Sequence, residues 1–466
     1  MTIEIERGSV TRPALSRCIS VAPDEFARDF WGRLPLLSPA SSLAGDFDDL
    51  FSERAVDELV TERGLRTPFI RMAQEGSVLA ASAFTAPGGF GAEISDQVSS
   101  EKVLAEFAAG ATIVLQGLHR LWPPLIDFTR RLVDDLGHPA QVNAYVTPAS
   151  SRGFDPHYDV HDVFVLQIAG EKHWRIHSPV HPDPLRDQPW GDHRDAVARE
   201  AQNPPVIDAV LRPGDALYLP RGWLHSAEAL GGTSVHLTVG VAAYTRADVV
   251  RALVSTLGEV PALRSSLPLG IDLSDPEALR PLVDETVAEL VRALTAVPDA
   301  HDVAANDIAP AGFRAADPAA TVSRRLAARF AEATRPEPLA PLATIDAIAA
   351  LGASSAVRWR GSLAARIDSS GDRVRIVTPT KTVALPLEAE AAVRLLHAGA
   401  PGALDTGTGG AAAGAGRAAG AGGGAAGSGV AADGSVALAD FPGLDLDDAI
   451  VVARRLLREG ILVPAG

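Results

Sequence analysis

The sequence predicts an α+β protein in which an antiparallel β-barrel or sandwich precedes a helical region and a small C-terminal domain. Three observations predict this: short β-rich runs between residues 110 and 245, helical periodicity over 245–340, and a hairpin followed by helical patterns in the remainder. The chain has 466 residues, enough for two or three domains. Apolar residues make up 47% of it, which excludes a wholly disordered chain.

Charge and cysteine content restrict the partners and the compartment. The formal net charge is −16, so the average surface repels a phosphate backbone and we expect no direct nucleic-acid binding. An acidic surface suits a basic protein partner, but it also simply keeps a protein soluble. The single cysteine, Cys18, excludes an internal disulfide and a thiolate metal cluster, which fits a reducing cytosol. Because no signal-peptide pattern and no long apolar run occurs, we expect a cytoplasmic protein without a membrane partner.

The β-rich region contains six short runs separated by Gly, Pro and Asp. Many short strands with turn signals between them favour an antiparallel barrel or sandwich. A helix is predicted within the region, at about residues 121–136. The predicted strands are 111–118, 141–147, 163–168, 173–177, 216–219 and 233–241.

The segment 153–159 holds an H-x-D pair, His157 and Asp159. Residues i and i+2 of a strand point to one face, so this imidazole and this carboxylate can reach a single ion. With one more histidine they match the 2-His-1-carboxylate triad of non-haem Fe(II) oxygenases, which leaves positions open for cosubstrate and O2. The pattern recurs twice in a Pro-, Asp- and Arg-rich stretch that is typical of an exposed loop and lacks the rigid support of a metal site. Those two pairs are His181 with Asp183 and His193 with Asp195.

A more specific pattern predicts the third ligand. Residues 214–225, GDALYLPRGWLH, fit G-x5-P-x-G-x2-H without a mismatch, which is the second cupin motif. Its glycines and proline form tight turns around a strand and return the chain so that His225 faces the barrel interior. The alternative is a buried, hydrogen-bonded histidine with no metal.

Lys172 follows the run VFVLQI and a predicted turn at residues 169–171. A lysine that opens a strand inside a small barrel must pair with an anion or change its pKa. A dicarboxylate cosubstrate bound to the metal supplies such an anion. The alternative is an exposed turn lysine.

The region 245–340 is predicted to be helical. A capping-box pattern at residues 274–277 precedes a run with helical spacing, in which Pro281 is expected to kink or restart the helix. Such an apolar stripe is common in packing domains and also in dimer interfaces. The stripe consists of Leu279, Leu282, Val283, Val287, Leu290, Val291 and Leu294.

The C-terminal region combines a hairpin turning at residues 369–372, a helix at 387–397 and a helix capped by Asp445 and ended by Gly460. These elements suggest a winged-helix type of domain. Between them, residues 407–434 include 12 Gly and 11 Ala, which predicts a flexible linker or loop insertion. The arginines of the last helix form no basic stripe, so a structural or substrate-docking role is favoured over DNA binding.

Three segments together resemble the JmjC-type 2-oxoglutarate oxygenases, and within them the ribosomal oxygenase subfamily. They are residues 143–159, 164–175 and 219–228. Residues 26–37, FARDFWGRLPLL, are similar to the subfamily's opening segment, and 263–270 to its helical dimerisation region. The resemblance covers nearly the whole chain, and the Gly/Ala-rich insertion departs from it.

The resemblance implies a double-stranded β-helix (cupin/JmjC jelly-roll) core with an N-terminal extension in residues 1–245. It implies a helical dimerisation domain in 246–342 and a winged-helix-like domain in 343–466, which the insertion interrupts. We therefore expect a homodimer that hydroxylates a His or Arg side chain of a protein, such as a ribosomal protein.

The resemblance also implies roles for individual residues. His157, Asp159 and His225 bind Fe(II), Lys172 holds the distal carboxylate of 2-oxoglutarate, and O2 is the second cosubstrate. The substrate side chain lies beside two residues that share a face of one strand, although ordinary barrel packing is an alternative for both. These residues are Asn143 and Tyr145.

Other interpretations remain open at this point. The same chemistry can act on a small molecule or a natural-product peptide. A cupin-like binding protein without catalysis is an alternative, and so is a metal-dependent cupin isomerase, which needs neither Lys172 nor O2. His236, on the last predicted strand, is expected to be a hydrogen-bonded barrel histidine, and no role is assigned to His161, His173 or His177.

Overall fold

In the computed structural model the chain combines helices and sheets around two separate large hydrophobic cores. The structure describes residues 12–74, 76–91, 93–149, 155–295, 318–400 and 430–465. One core is built from residues between Ala14 and Val241, and the other from residues between Ile348 and Leu462. The predicted mixture of helix and sheet is confirmed. Most of the predicted Gly/Ala-rich linker lies outside the described residues, as do Gly153 and Phe154.

The first core includes residues of an antiparallel sheet. The strands of this part of the chain are β1 Leu36–Ser38, β2 Ile70–Gln74, β3 Ser77–Val78, β4 Thr85–Ala86, β5 Gln97–Val98, β6 Thr112–Leu115, β7 Ala140–Thr147, β8 Asp162–His177, β9 Ile207–Leu211, β10 Ala216–Leu219 and β11 Leu224–Val241. Within the described residues, the main sheet has the order β1-β10-β8-β11-β7-β6-β2-β3, with β9 paired to β8, while β4 and β5 form a separate pair.

Alternation along β7 separates a side that faces the hydrophobic core from a side that faces a cavity. Val142, Ala144 and Val146 are buried in the hydrophobic core, whereas Tyr145 and Thr147 face the opposite way and line a cavity. Successive side chains of a strand point to opposite faces, so this segment supplies both packing and functional groups.

Strand β8 runs without interruption from Asp162 to His177, and it pairs with β11 on both sides of a register shift. The prediction of two short strands around a turn at residues 169–171 is therefore wrong. Gly170 has φ +64°, and a Cβ there would lie 2.1 Å from the Thr233 carbonyl oxygen, so glycine lets the chain bend without ending the strand. As a result Lys172 lies in the middle of β8, opposite Ala229, rather than at a strand opening.

Several helices of this part of the chain pack against the sheet. The helices here are α1 Pro13–Ser16, α2 Pro23–Glu25, α3 Glu53–Thr61, α4 Ser100–Ala108, α5 Leu118–Leu121, α6 Pro123–Leu136 and α7 Arg194–Glu200. The predicted helix is α6, which begins at a proline and ends at Gly137 in the left-handed region, with φ +70°. On α6, the Asp135 carboxylate accepts hydrogen bonds from the Ala14 and Leu15 amides at 2.8 and 2.9 Å.

The helical region consists of α8 Arg246–Val254, α9 Pro276–Thr295 and α10 Pro318–Ala333. The predicted capping box is wrong: the Ser274 hydroxyl donates to Asp272, and the Asp275 carboxylate instead accepts from the Glu277 amide at 3.0 Å. Helix α9 continues through Pro281 without restarting. None of its described residues is buried, so α9 adds nothing to either hydrophobic core.

The second core joins α11 Pro341–Ala349, α12 Glu390–Ala398 and α13 Leu446–Arg458 to small sheets. Their strands are β12 Ala356–Trp359, β13 Arg366–Ser370, β14 Arg373–Val377, β15 Thr382–Pro386, β16 Val436–Ala437 and β17 Leu462–Pro464. The predicted hairpin is present as β13 and β14, with Gly371 and Asp372 between them. No helix in the described part of the chain has the length and apolarity required to cross a bilayer.

The N-cap of α13 gives a direct test of this second core. The Asp445 carboxylate accepts a hydrogen bond from the Asp448 amide at 2.9 Å and satisfies a donor that the helix leaves free. We expect Asp445→Ala to lower the free energy of unfolding by about 1 kcal/mol, measured by urea denaturation. Asp447→Ala, in the same turn but away from the cap, is the control. Equal losses in both variants would contradict the capping role.

Candidate metal centre

His157, Asp159 and His225 converge where the H-x-D segment bridges to the start of β11. Their potential ligand atoms all lie within 4.8 Å of one another. Nε2 of His225 is 3.8 Å from an Asp159 carboxylate oxygen, and the centroids of the two imidazole rings are 4.4 Å apart. The backbones of the two histidines exchange hydrogen bonds of 2.8 and 3.2 Å. This single bridge, rather than a regular strand, fastens the H-x-D segment to the start of β11.

Backbone carbonyls orient both imidazoles. Nδ1 of His157 lies 2.7 Å from the Asp155 carbonyl oxygen, and Nδ1 of His225 lies 3.1 Å from the Trp223 carbonyl oxygen. Because a carbonyl oxygen only accepts, each Nδ1 carries the proton and each Nε2 keeps its lone pair. Two imidazole nitrogens and one carboxylate oxygen therefore form a donor set that fits a divalent iron ion.

The protonation states agree with this donor set. Burial raises the pKa of Asp159, but the imidazoles of His161, His225 and His157 outweigh it and hold that pKa below its usual value. Burial, reinforced by His157, lowers the pKa of His225 to about 4. At neutral pH Asp159 is thus a carboxylate and His225 a neutral imidazole, the forms that bind metals.

A cavity of about 280 Å³ adjoins the three side chains. Lys172 lines it and is only 3% exposed, and its Nζ donates to the Thr147 hydroxyl at 3.1 Å. Burial lowers the pKa of Lys172 to about 7. No carboxylate in the described residues forms an ion pair with Lys172, so its cation can receive an anion that enters the cavity.

The two residues predicted to contact the substrate are placed differently. Tyr145 lines the cavity, and its ring stacks on His236 with centroids 5.1 Å apart. The Asn143 side-chain oxygen instead accepts a hydrogen bond from the Gly117 amide at 3.1 Å, and Asn143 is not among the described residues that line the cavity.

Several cavity residues were missed from the sequence. His236 was expected to be hydrogen-bonded, but its buried Nδ1 has no partner among the described residues and its ring lines the cavity, so that expectation is wrong. Arg71 on β2 and Trp190, in the segment before α7, also line it. His161 had no assigned role, yet it acts on the Asp159 carboxylate. For His236, the available sequence signal was its place in the alternation of side chains along the strand, which could have indicated that the side chain points into the cavity.

The other two H-x-D pairs do not build a metal site. The His181 ring stacks on His193 with centroids 4.5 Å apart, and its Nε2 lies 3.3 Å from the Gln188 side-chain oxygen. Across the described residues, only the set containing His157 brings three potential ligands together.

Comparisons with known proteins agree with these motifs. Residues 123–249 match the family model described as the JmjC domain. The rat protein named ribosomal oxygenase 1 is 38% identical over 137 residues, which are 28% of this chain and 22% of the rat protein. The Drosophila persimilis protein named bifunctional lysine-specific demethylase and histidyl-hydroxylase NO66 is 29% identical over 285 residues, 57% of this chain and 37% of that protein.

A solved structure of the Escherichia coli ribosomal oxygenase YcfD, in complex with cobalt and 2-oxoglutarate, is also similar. It is 15% identical, has a TM-score of 0.47, and the match covers 96% of this chain and 99% of that one.

The curated relatives are longer than the segments they share with this protein. The chain spans about a fifth to two fifths of the length of the two named above. The H-x-D pair, Lys172 and His225 all fall within the residues that match the family model. Residues 123–249 are therefore similar to the JmjC domain, and the predicted resemblance to the ribosomal oxygenases is confirmed.

Proposed function

We propose that the protein is an Fe(II)- and 2-oxoglutarate-dependent dioxygenase that hydroxylates a side chain of another protein. The observation that carries this proposal is the convergence of two imidazoles and one carboxylate beside a cavity with a buried lysine. The names ribosomal oxygenase and histidyl-hydroxylase, borne by relatives, support a ribosomal protein as substrate and a His as target. Arg is the second target that the sequence resemblance implies.

The residues divide into a metal set and a cosubstrate anchor. His157 and His225 would bind iron through Nε2, and Asp159 through a carboxylate oxygen. Once bound, iron and the 2-oxoglutarate cosubstrate supply the oxidising chemistry with O2. Lys172 would hold the distal carboxylate of 2-oxoglutarate, because a buried cation without an anion is costly.

Two further side chains would shape the substrate end of the cavity. Tyr145, stacked on His236, would contact the substrate side chain. Asn143 would act less directly, since its hydrogen bond holds the Gly117 turn beside β7. The half-buried Trp190, whose ring centroid is 6.2 Å from that of His157, would help exclude water from the reaction.

The substrate proposal is tested by mass spectrometry. The purified protein, supplied with Fe(II), 2-oxoglutarate and O2, is incubated with a ribosomal extract, and the ribosomal proteins are digested and searched for a gain of one oxygen. We expect one ribosomal peptide to gain the oxygen with the wild-type protein and not with Asp159→Ala. Turnover of 2-oxoglutarate without an oxidised ribosomal peptide would favour the small-molecule or natural-product alternative.

We also propose the roles of the remaining regions. Residues 246–342 would form a helical dimerisation domain, and 343–466 a winged-helix-like domain with a structural or substrate-docking role. The acidic net charge of −16 supports a basic protein partner rather than nucleic acid, and the single cysteine supports a cytoplasmic location.

The exposed face of α9 supports the dimer. Val283, Val287 and Val291 repeat every four residues and are 54%, 53% and 51% exposed, so they form one apolar stripe that lacks a cover within the described residues. A second copy of α9 would bury it.

We expect light scattering to give twice the chain mass for the wild-type protein, and Val287→Asp to shift it towards the monomer. Glu285→Lys, which changes charge on the opposite face of α9, should leave the mass unchanged. A monomeric wild type, or a Val287→Asp variant that stays dimeric, would overturn the proposed interface.

A further inference from the structure

We infer that Arg71 makes the cavity reject cationic side chains, so that the hydroxylated residue is neutral; this inference rests on the proposed function. Arg71 lies on β2, opposite Val114 of β6, which in turn lies opposite Tyr145 of β7. Arg71 also lines the cavity. Its buried Nε has no hydrogen-bond partner among the described residues, so the guanidinium keeps unused hydrogen-bonding capacity beside the cavity.

Arg71 is next to the residue proposed to contact the substrate. Burial raises the pKa of the Tyr145 phenol, and the Arg71 guanidinium beside it opposes that change. A substrate side chain that contacts Tyr145 therefore also lies close to the positive charge of Arg71.

Among the described residues, the charges that line the cavity do not balance the charge of Arg71. The described lining of the cavity contains two basic side chains, Arg71 and Lys172, one acid, Asp159, and three histidines. His157 and His225 would be neutral as ligands of a metal, and burial lowers the pKa of His236 well below its usual value. Asp159 and the keto-acid end of 2-oxoglutarate would offset a divalent metal, and the distal carboxylate would offset Lys172. The positive charge of Arg71 would then remain uncompensated among the described residues that line the cavity.

Among the described residues outside the lining, none neutralises the charge of Arg71. Arg71 forms no ion pair within the described part of the chain. Asp155 is exposed at the rim, with a carboxylate oxygen 4.0 Å from the position that a Cβ on Gly76 would take, and water screens it there.

This arrangement favours a flat, neutral side chain. A guanidinium or ammonium group would lose its hydration and meet a like charge, whereas a neutral imidazole can accept a hydrogen bond from Arg71. It can also stack on aromatic walls, which Tyr145, His236 and Trp190 supply. Of the two target residues left open by the resemblance, neutral histidine fits this cavity and arginine does not.

The test uses two peptide libraries with identical randomised flanks and either histidine or arginine at the centre. Peptide-dependent succinate formation and oxygen incorporation are measured for the wild type, Arg71→Met and Arg71→Lys, with Arg54→Met as an exposed-arginine control. We expect wild type to prefer the histidine library. Arg71→Met should raise the arginine-to-histidine rate ratio about tenfold or more, Arg71→Lys should keep the preference, and Arg54→Met should match wild type.

A binding measurement separates recognition from turnover. N-acetyl-histidinamide and N-acetyl-argininamide are titrated into the Co(II)- and 2-oxoglutarate-loaded protein, and the Co(II) absorption is followed. We expect only the histidine compound to perturb the wild-type spectrum. Intact cosubstrate turnover with equal responses to both libraries, or a ratio unchanged in Arg71→Met, would overturn the role of Arg71 alone. Complete absence of cosubstrate turnover would instead overturn the proposed function together with this inference.

Discussion

Asp159→Ala is expected to reduce conversion of 2-oxoglutarate to succinate about a thousandfold or more, because it removes the only carboxylate from the proposed ligand set. The two remaining imidazoles keep their orientation through the Asp155 and Trp223 carbonyls, so the protein should fold. Metal affinity should fall together with activity. Both are measurable, as bound Co(II) by absorption and as succinate by mass spectrometry.

The chain provides a matched control for this variant. Asp195 belongs to another H-x-D pair, with His193, but it lies exposed at the start of α7 and outside the converging set. Asp195→Ala should leave both metal binding and turnover unchanged. An Asp159→Ala protein that retains full metal stoichiometry and turnover would contradict the proposed site.

Lys172→Met should weaken binding of 2-oxoglutarate about a hundredfold, because it removes the buried cation that would pair with the distal carboxylate. Methionine has a similar length and suits the buried position, so loss of packing is small. Binding is measured without turnover, from the Co(II) absorption as 2-oxoglutarate is added under argon. An unchanged dissociation constant would exclude Lys172 as the anchor.

The same lysine gives the binding a defined pH dependence. Burial lowers the pKa of Lys172 to about 7 in the protein without cosubstrate. Above pH 7 the free protein loses this proton, and binding of the carboxylate must restore it. Affinity should therefore be highest below pH 7 and fall by up to about tenfold per pH unit above it. In Lys172→Met this slope should disappear, and a wild-type affinity that is constant from pH 6 to 9 would contradict the account.

The ligand set could be predicted because its spacing is encoded locally. The glycines and proline before His225 enforce turns, and Gly222 has φ +87° with its Cα packed so closely that a Cβ would lie 2.8 Å from the His181 carbonyl oxygen. A single motif thus fixes both the turn and the orientation of the histidine. The H-x-D pair was identified by the same reasoning, although a bridge and not a strand supports it.

The remainder of the site depends on long-range pairing that local patterns do not reveal. Gly170 suggested a turn, but the pairing of β8 with β11 continues past it, so its local preference was overridden. Arg71 reaches the cavity through β2 and Trp190 through a segment without regular strand structure, and neither lies in a motif. The predicted capping box failed for a related reason. The Ser274 hydroxyl donates to Asp272, and the Glu277 amide, which the box assigned to Ser274, donates to Asp275.

The measurement that tests the central claim most directly is Fe(II)-dependent formation of succinate from 2-oxoglutarate by the purified protein, with and without ribosomal extract. The account predicts succinate that requires both Fe(II) and Asp159 and that increases when the extract is added. No succinate above the metal-free and Asp159→Ala controls, from a protein shown to hold iron at His157, Asp159 and His225, would contradict it and would favour a cupin-like binding protein.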